Sequence, residues 1–220
     1  MATRVLVIGS SGHAGVAIDA IERCGLEVAG LVDSFRQAGE SAYGYQVIGP
    51  EDAIPAFLQK YEDCAVAIAI GDNFQRRRMR HRLRELAPQL GAVTVIHPHA
   101  SVSARASIED GAMVCAGAIV CAGARVGEGC LLNTGATLDH DCTMEAYSSL
   151  GPGAVVGGSV RIGECSAVGI GATLRHGVSI GAHTVIGAGA VVVGDIPARC
   201  VAYGVPARAV RERRADEPYL

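Results

Sequence analysis

From Ile96 onward every sixth residue is apolar: Ile96, Val102, Ile108, Val114, Val120, Val126, Leu132, Leu138, Met144, Leu150, Val156, Ile162, Val168, Leu174, Ile180, Ile186 and Val192. Four places after each stands a small or compact residue, as at Ala100, Ala118, Cys130, Ala136, Cys142, Ser166 and Ala190. A period of six suits neither a helix, which repeats at about 3.6, nor a plain strand alternating at about two. It suits short flat strands joined by turns. Each six-residue unit then turns one aliphatic and one small side chain inward, and stacked coils merge these into a thin continuous core.

Residues 1–95 carry no such period. An apolar strand, Val5 to Gly9, runs into the glycine loop Gly9-Ser10-Ser11-Gly12-His13-Ala14-Gly15, which opens a helix reaching about Cys24. Strands follow at Glu27 to Val32, Tyr45 to Ile48 and Ala65 to Ile70, with helices from Pro50 and over the Arg-rich stretch Phe74 to Leu86. Strands alternating with helices predict an α/β unit, a small Rossmann-like parallel sheet. The expected organisation is thus an α/β domain over 1–95, a coiled β domain over 96–200 and a C-terminal tail over 201–220.

Composition narrows the chemistry. The chain is 50% hydrophobic but only 4% aromatic, without Trp, and holds 29 Gly in 220 residues, as a thin aliphatic core requires. Nineteen basic and 22 acidic residues leave no positive surplus for a phosphate backbone, so no nucleic-acid partner is expected. Lys60 is the only lysine, which excludes a Walker loop and leaves Schiff-base chemistry only this residue in a polar, surface-type stretch. Eight scattered cysteines without CxxC pairs read as reduced thiols in a cytoplasmic protein. The uncharged stretch from His176 to Gly194 has the length of a membrane span, but its five glycines, two His, Ser179 and Thr184 fit the repeat better, so no membrane insertion is expected.

Backbone N–H groups of a glycine loop at a helix N-terminus attract phosphate. The spacing here is G-x-x-G-x-x-G, and Asp33 stands where a ribose-binding acid would sit. The short α/β unit leaves no room for the second half of a dinucleotide fold, so a nucleotide-sugar suits it better than NAD.

The sequence resembles, over essentially its whole length, the hexapeptide-repeat sugar O- and N-acetyltransferases of the sialic acid O-acetyltransferase type, with the bacterial nucleotide-aminosugar N-acetyltransferases (UDP-4-amino-sugar or GDP-perosamine) as its nearest members. The resemblance rests on Gly9-Ser10-Ser11-Gly12-His13, on Ala69-Ile70-Gly71-Asp72-Asn73, on Asn133-Thr134-Gly135-Ala136 with Asp139-His140-Asp141-Cys142, and on Gly204-Val205-Pro206-Ala207-Arg208. It implies a left-handed parallel β-helix with three hexapeptides in each coil. It also implies acetyl transfer from acetyl-CoA, without a metal, to a sugar on a nucleoside diphosphate, in a homotrimer with active sites between subunits.

His140 falls off the inward positions, and its flanking acids can hold an imidazole in the tautomer that accepts a proton. The resemblance implies that Asp141 is the orienting partner and that Gly158, one coil further on, stacks on His140 and offers its N–H to the oxyanion of a thioester under attack. Direct transfer with His140 as general base is expected. Cys142, the rival nucleophile, occupies a small inward position. The family pattern assigns sugar-nucleotide contacts to Ser11, Gly12, His13, Asp33, Ser34 and Gly71, and acetyl-CoA contacts to Ser149, Gly158, Ile170 and Ala188. Ser149 departs from the His of many relatives, and His176 from a common Pro. The competing readings are a sialic-acid-type O-acetyltransferase, a serine acetyltransferase, a γ-type carbonic anhydrase and a non-enzymatic nucleotide-binding scaffold. Two coils at strand spacing put His140 and His176 about 10 Å apart, too far for shared zinc.

Overall fold

The computed structural model describes residues 4–61 and 63–219. The first part is built on strands β1 (Arg4–Ile8), β2 (Glu27–Val32), β3 (Ser41–Ala42), β4 (Tyr45–Gly49) and β5 (Cys64–Ile68), in the order β3-β4-β2-β1-β5. All neighbours are parallel except the β3/β4 hairpin at the edge. Helices α1 (Gly12–Arg23), α2 (Ile54–Leu58) and α3 (Asn73–Leu86) cover both faces. Alternation along β1 decides which helix packs where, because successive side chains point to opposite faces. Val5 and Val7 pack with Ala14, Ala17 and Ile21 of α1, while Leu6 and Ile8 join Ile54 of α2 and Leu83 of α3. The expected elements lie within two residues of these, apart from α2, whose α-helical turns begin only at Ile54 after a 3₁₀ turn over Glu51–Ala53. The two-residue β3 has no apolar run to announce it.

The second part is a parallel β-helix of triangular section. From Val95–Ile96 to Thr173–Leu174 each two-residue strand pairs with the third strand after it in the chain, as in Leu131↔Ser149 and Leu132↔Leu150, so three hexapeptides make one coil. The strands fall on three faces. Face I holds pairs such as Leu131–Leu132 and Ser149–Leu150, face II Thr137–Leu138 and Val155–Val156, and face III Thr143–Met144 and Arg161–Ile162. From Val114 to Val192 every sixth residue is buried, and the small positions interleave with them in one core.

Two expectations need correction. Ile96 is 37% exposed and Val102 and Ile108 only half-buried, because they belong to the first coil, beneath which no further strand pairs among the described residues. The residue turned into a core there is Val95, which packs into the α/β domain. Nor do residues 201–212 form a tail. Cys200–Gly204 pairs with Val185–Ile186 on face I and with Ala207–Glu212 as a hairpin, burying Cys200, Ala202 and Ala207 in the top of the core. Only from Arg213 does the chain run on as a tail.

The α/β domain sits on face I, where Met113, Cys115 and Leu131 complete its α1-side core. The uncharged stretch His176 to Gly194 forms coils of the prism, and no helix among the described residues is long and apolar enough to cross a membrane.

The core register generates a stability prediction. Ile162 is fully buried on face III, so Ile162→Asp places an unpaired carboxylate where nothing can hydrate it. Ser107 lies on the same face but points outward. Ile162→Asp is expected to abolish the folded state, and Ser107→Asp to leave it intact, by circular dichroism and light scattering. A folded Ile162→Asp protein would mean that the inward register is wrong.

Candidate active site

A cavity of about 610 Å³ opens at the carboxyl ends of β1, β2 and β5, the crevice where open parallel sheets bind ligands. Ser10 and Ser11 enter it after β1, Asp33, Ser34 and Phe35 after β2, Ile70 and Gly71 after β5, and Gln75, Arg78 and Arg82 from α3. Gly9 starts the β1 turn at φ 104°, and a Cβ there would lie 3.0 Å from the Ala69 carbonyl oxygen, so only glycine allows this approach of β1 to β5. Asp33 is held on two sides. Its Oδ2 accepts from the Ser10 hydroxyl at 2.5 Å and its Oδ1 from the Phe35 N–H at 2.8 Å. The Ser34 hydroxyl donates to Glu51 at 2.5 Å and is the main cause that holds this carboxyl below its ordinary pKa.

Of the residues assigned to the sugar nucleotide, the structure brings Ser11, Asp33, Ser34 and Gly71 together around this cavity. Gly12 and His13 do not line it and lie in the first turn of α1. Burial, helped by the Arg76 guanidinium, pushes the His13 pKa down to about 4. Phe35, 99% exposed at the cavity mouth, and Glu51, Arg78 and Arg82 in its wall carried no sequence signal, because only the fold gathers them.

The floor of the cavity is tied to the β-helix by Arg76. Its guanidinium is buried and spends all five N–H groups: on the Gly129 carbonyl at 2.8 Å, the Ile70 and Gly71 carbonyls at 2.9 and 3.0 Å, Asn73 Oδ1 at 2.7 Å and the Tyr147 carbonyl at 3.1 Å. Asn73 Nδ2 adds a bond to the Ser166 carbonyl at 3.0 Å.

His140 lies in the turn between faces II and III with half of its side chain exposed. Its Nδ1 is 2.9 Å from Asp141 Oδ2. Asp139 instead accepts from the His140 backbone N–H at 2.7 Å, so Asp141 is the imidazole's partner and Asp139 braces the main chain. The bond to Asp141, together with the nearby Asp139 charge, raises the His140 pKa above its ordinary value. A Cβ on Gly158 would collide with the imidazole, so the ring rests over a glycine one coil away. Among the described residues nothing accepts a hydrogen bond from the Gly158 N–H.

The ring centroids of His140 and His176 are 6.2 Å apart and inclined at 45°, much closer than two strand spacings would place them. The intervening coil carries glycine at 158, and the His140 ring leans into the space that a side chain there would fill. Distance alone therefore does not separate this site from a zinc site. Among the described residues of this one chain no three His, Cys, Asp or Glu side chains gather. Cys142 is buried, donates to the Gly157 carbonyl at 3.2 Å and has its pKa raised by burial, the opposite of an activated nucleophile.

The residues assigned to acetyl-CoA do not meet within one chain. Ser149 is buried on face I, Ile170 and Ala188 are exposed in the turns between faces I and II, and Gly158 is in the turn between faces II and III. That last edge is the one opposite face I, so His140 points away from the face that carries the α/β domain.

The PglD N-terminal domain family matches residues 4–83. PerB from Caulobacter crescentus, solved with CoA and GDP-perosamine, is 38% identical, with 94% of this chain and 97% of that chain covered and a TM-score of 0.87. The acetyltransferase domain of PglB from Neisseria gonorrhoeae, solved with acetyl coenzyme A, is 34% identical over 96% of this chain and 100% of that one, with a TM-score of 0.85. This chain belongs to the hexapeptide-repeat nucleotide-sugar N-acetyltransferases. WeeI from Acinetobacter baumannii, at 22% identity over 94% of this chain and 100% of that one and a TM-score of 0.80, shares the fold. No curated protein matches the sequence.

In an acetyltransferase of this family the His140 geometry predicts a pH dependence. A base works unprotonated, so turnover falls as pH drops through the His140 pKa, which lies above the usual 6.5. Replacing His140 with Ala is expected to lower kcat about 10²- to 10⁴-fold. Asp141→Asn removes the main cause of the raised pKa and should move the acidic limb of the rate profile to lower pH. An acidic limb that stays in place would refute the pairing.

Proposed function

We propose that the protein transfers the acetyl group of acetyl-CoA directly to the amine of a nucleotide-linked 4-amino-4,6-dideoxysugar. The observation that carries this reading is the combination, on one chain, of a nucleotide-sized cavity at the strand ends and an imidazole–carboxylate pair on a β-helix. The cavity offers the backbone N–H groups of Ser10 and Ser11 for a diphosphate, Asp33 for a ribose, and the Phe35 ring and Arg78 for a base. PerB, with GDP-perosamine in its crystal structure, supports a guanosine diphosphate carrier.

His140 Nε2 takes a proton from the sugar nitrogen as that nitrogen attacks the thioester carbonyl. The Nδ1–H donated to Asp141 keeps Nε2 free to do so. The Gly158 N–H steadies the oxyanion, and on collapse the C–S bond breaks while the imidazolium returns its proton to the CoA thiolate.

The site is completed between copies of the chain in a homotrimer. Three features support this. His140 faces away from the α/β domain of its own chain, Ile170 and Ala188 fall on a different edge from Gly158, and Ile119 and Val155 are exposed on face II. Acetyl-CoA then runs between the His140–Gly158 edge of one copy and the edge of the next that carries Ile170 and Ala188. Eight unpaired thiols suit a reducing cytoplasm.

Thiol release from acetyl-CoA tests the reading. The nucleotide-linked aminosugar should exceed the same free sugar by at least about 10²-fold in kcat/KM, since remote binding orients the amine. Asp33→Ala should raise KM for the nucleotide-sugar and leave that for acetyl-CoA nearly unchanged. Equal rates with free and linked sugars would end the proposal.

A further inference from the structure

The tail beyond Arg213 returns to the α/β domain. Arg213 donates to the His183 carbonyl at 2.9 Å and lays its guanidinium 5.7 Å from the centre of the Tyr219 ring. An Arg211–Glu217 ion pair at 2.7 Å fastens the same stretch. Tyr219 is thereby carried to the turn between β5 and α3, where its hydroxyl accepts from the Asn73 N–H at 3.0 Å and faces the Gly71 carbonyl at 3.3 Å as donor. Asn73 is the first residue of α3, whose opening N–H groups have no partner within the helix. Gly71 lines the cavity. The phenol thus uses its donor and its acceptor on the two residues that flank Asp72.

We propose that Tyr219 is a positioning residue for the sugar nucleotide, its hydroxyl holding the Gly71 to Asn73 turn, whose Gly71 lines the cavity, in register with the β-helix. This rests on the function proposed above. Arg76 fixes the same turn from below through carbonyls, but among the described residues only Tyr219 binds the Asn73 N–H at the start of α3. Without that bond the Asn73 N–H is left unpaired and the Gly71 carbonyl loses one of its two donors, so the peptides around Asp72 loosen while Arg76 still holds the turn, and the sugar's approach to the imidazole changes with them. Burial raises the Tyr219 pKa, so the hydroxyl stays protonated and able to donate throughout the neutral range.

The test is Tyr219→Phe, which keeps the ring against Arg213 and removes only the hydroxyl. Amide exchange at Asn73 should quicken, and KM for the nucleotide-linked sugar should rise about 5- to 20-fold, the weight of a buried hydrogen bond left unmade. KM for acetyl-CoA should stay close to wild type, while the unfolding temperature falls by a few degrees because the buried Asn73 N–H is left unpaired. Unchanged exchange at Asn73 would show that the contact is not made in solution. Faster exchange with an unchanged sugar KM, or a parallel rise in both KM values, would reduce the tail to a fastening. All three outcomes overturn the proposal. Should the unaltered protein acetylate no nucleotide-linked aminosugar, the proposed function fails. Calorimetric binding of GDP and UDP then judges Tyr219 separately, with equal affinity in Tyr219→Phe overturning its role.

Discussion

Each coil of the prism must close in three hexapeptides while turning one aliphatic and one small side chain inward on every edge. That constraint fixes far more than the core. Residues one coil apart stand directly over one another, so His140, Gly158 and His176 form a single outward column, and the absence of a side chain at 158 gives the imidazole its resting place. It also divides the outer surface into three faces and three edges. With the α/β domain committed to face I through Met113 and Leu131, the edge carrying His140 is the one that domain does not approach. The second copy invoked in the proposed function is thus a reading of the section of the prism and not of the chemistry.

The joint between the two parts is polar at its centre. A buried guanidinium is costly unless every donor is used, and Arg76 meets that condition with five bonds, four of them to backbone carbonyls. No carboxylate is among these acceptors. The arrangement binds main chain to main chain, tying the strand end at Ile70 and Gly71 to the coils at Gly129 and Tyr147. Charges nearer the surface play a smaller part, as with Arg80 and Arg84, which converge on Glu128 across the same interface.

Local features were legible in the sequence and distant ones were not. The six-residue period placed the inward register from Val114 to Val192, and the Asp-His-Asp motif placed the imidazole, because each is written within a few consecutive residues. Ile96 failed because periodicity does not say where a stack begins, and the hairpin after Cys200 because its last strands abandon the hexad. The His140–His176 separation failed because backbone spacing ignores how side chains lean. Arg76, Phe35 and Tyr219 were invisible for another reason. An arginine in an Arg-rich helix, or a tyrosine in a tail, gains meaning only from partners such as Gly129 or Gly71, far away in the chain.

The central claim is that the cavity of one chain serves the imidazole of another. Mixing subunits tests it most directly: His140→Ala and Asp33→Ala proteins, each nearly inactive at a low concentration of nucleotide-sugar, are unfolded together and refolded as a one-to-one mixture. Random assembly into closed rings gives about a quarter of sites an intact imidazole from one chain and an intact cavity from its neighbour, so turnover should recover to about that fraction of the unaltered enzyme. A mixture no more active than its two components would contradict the account, because it would place His140 and the cavity it serves on the same chain.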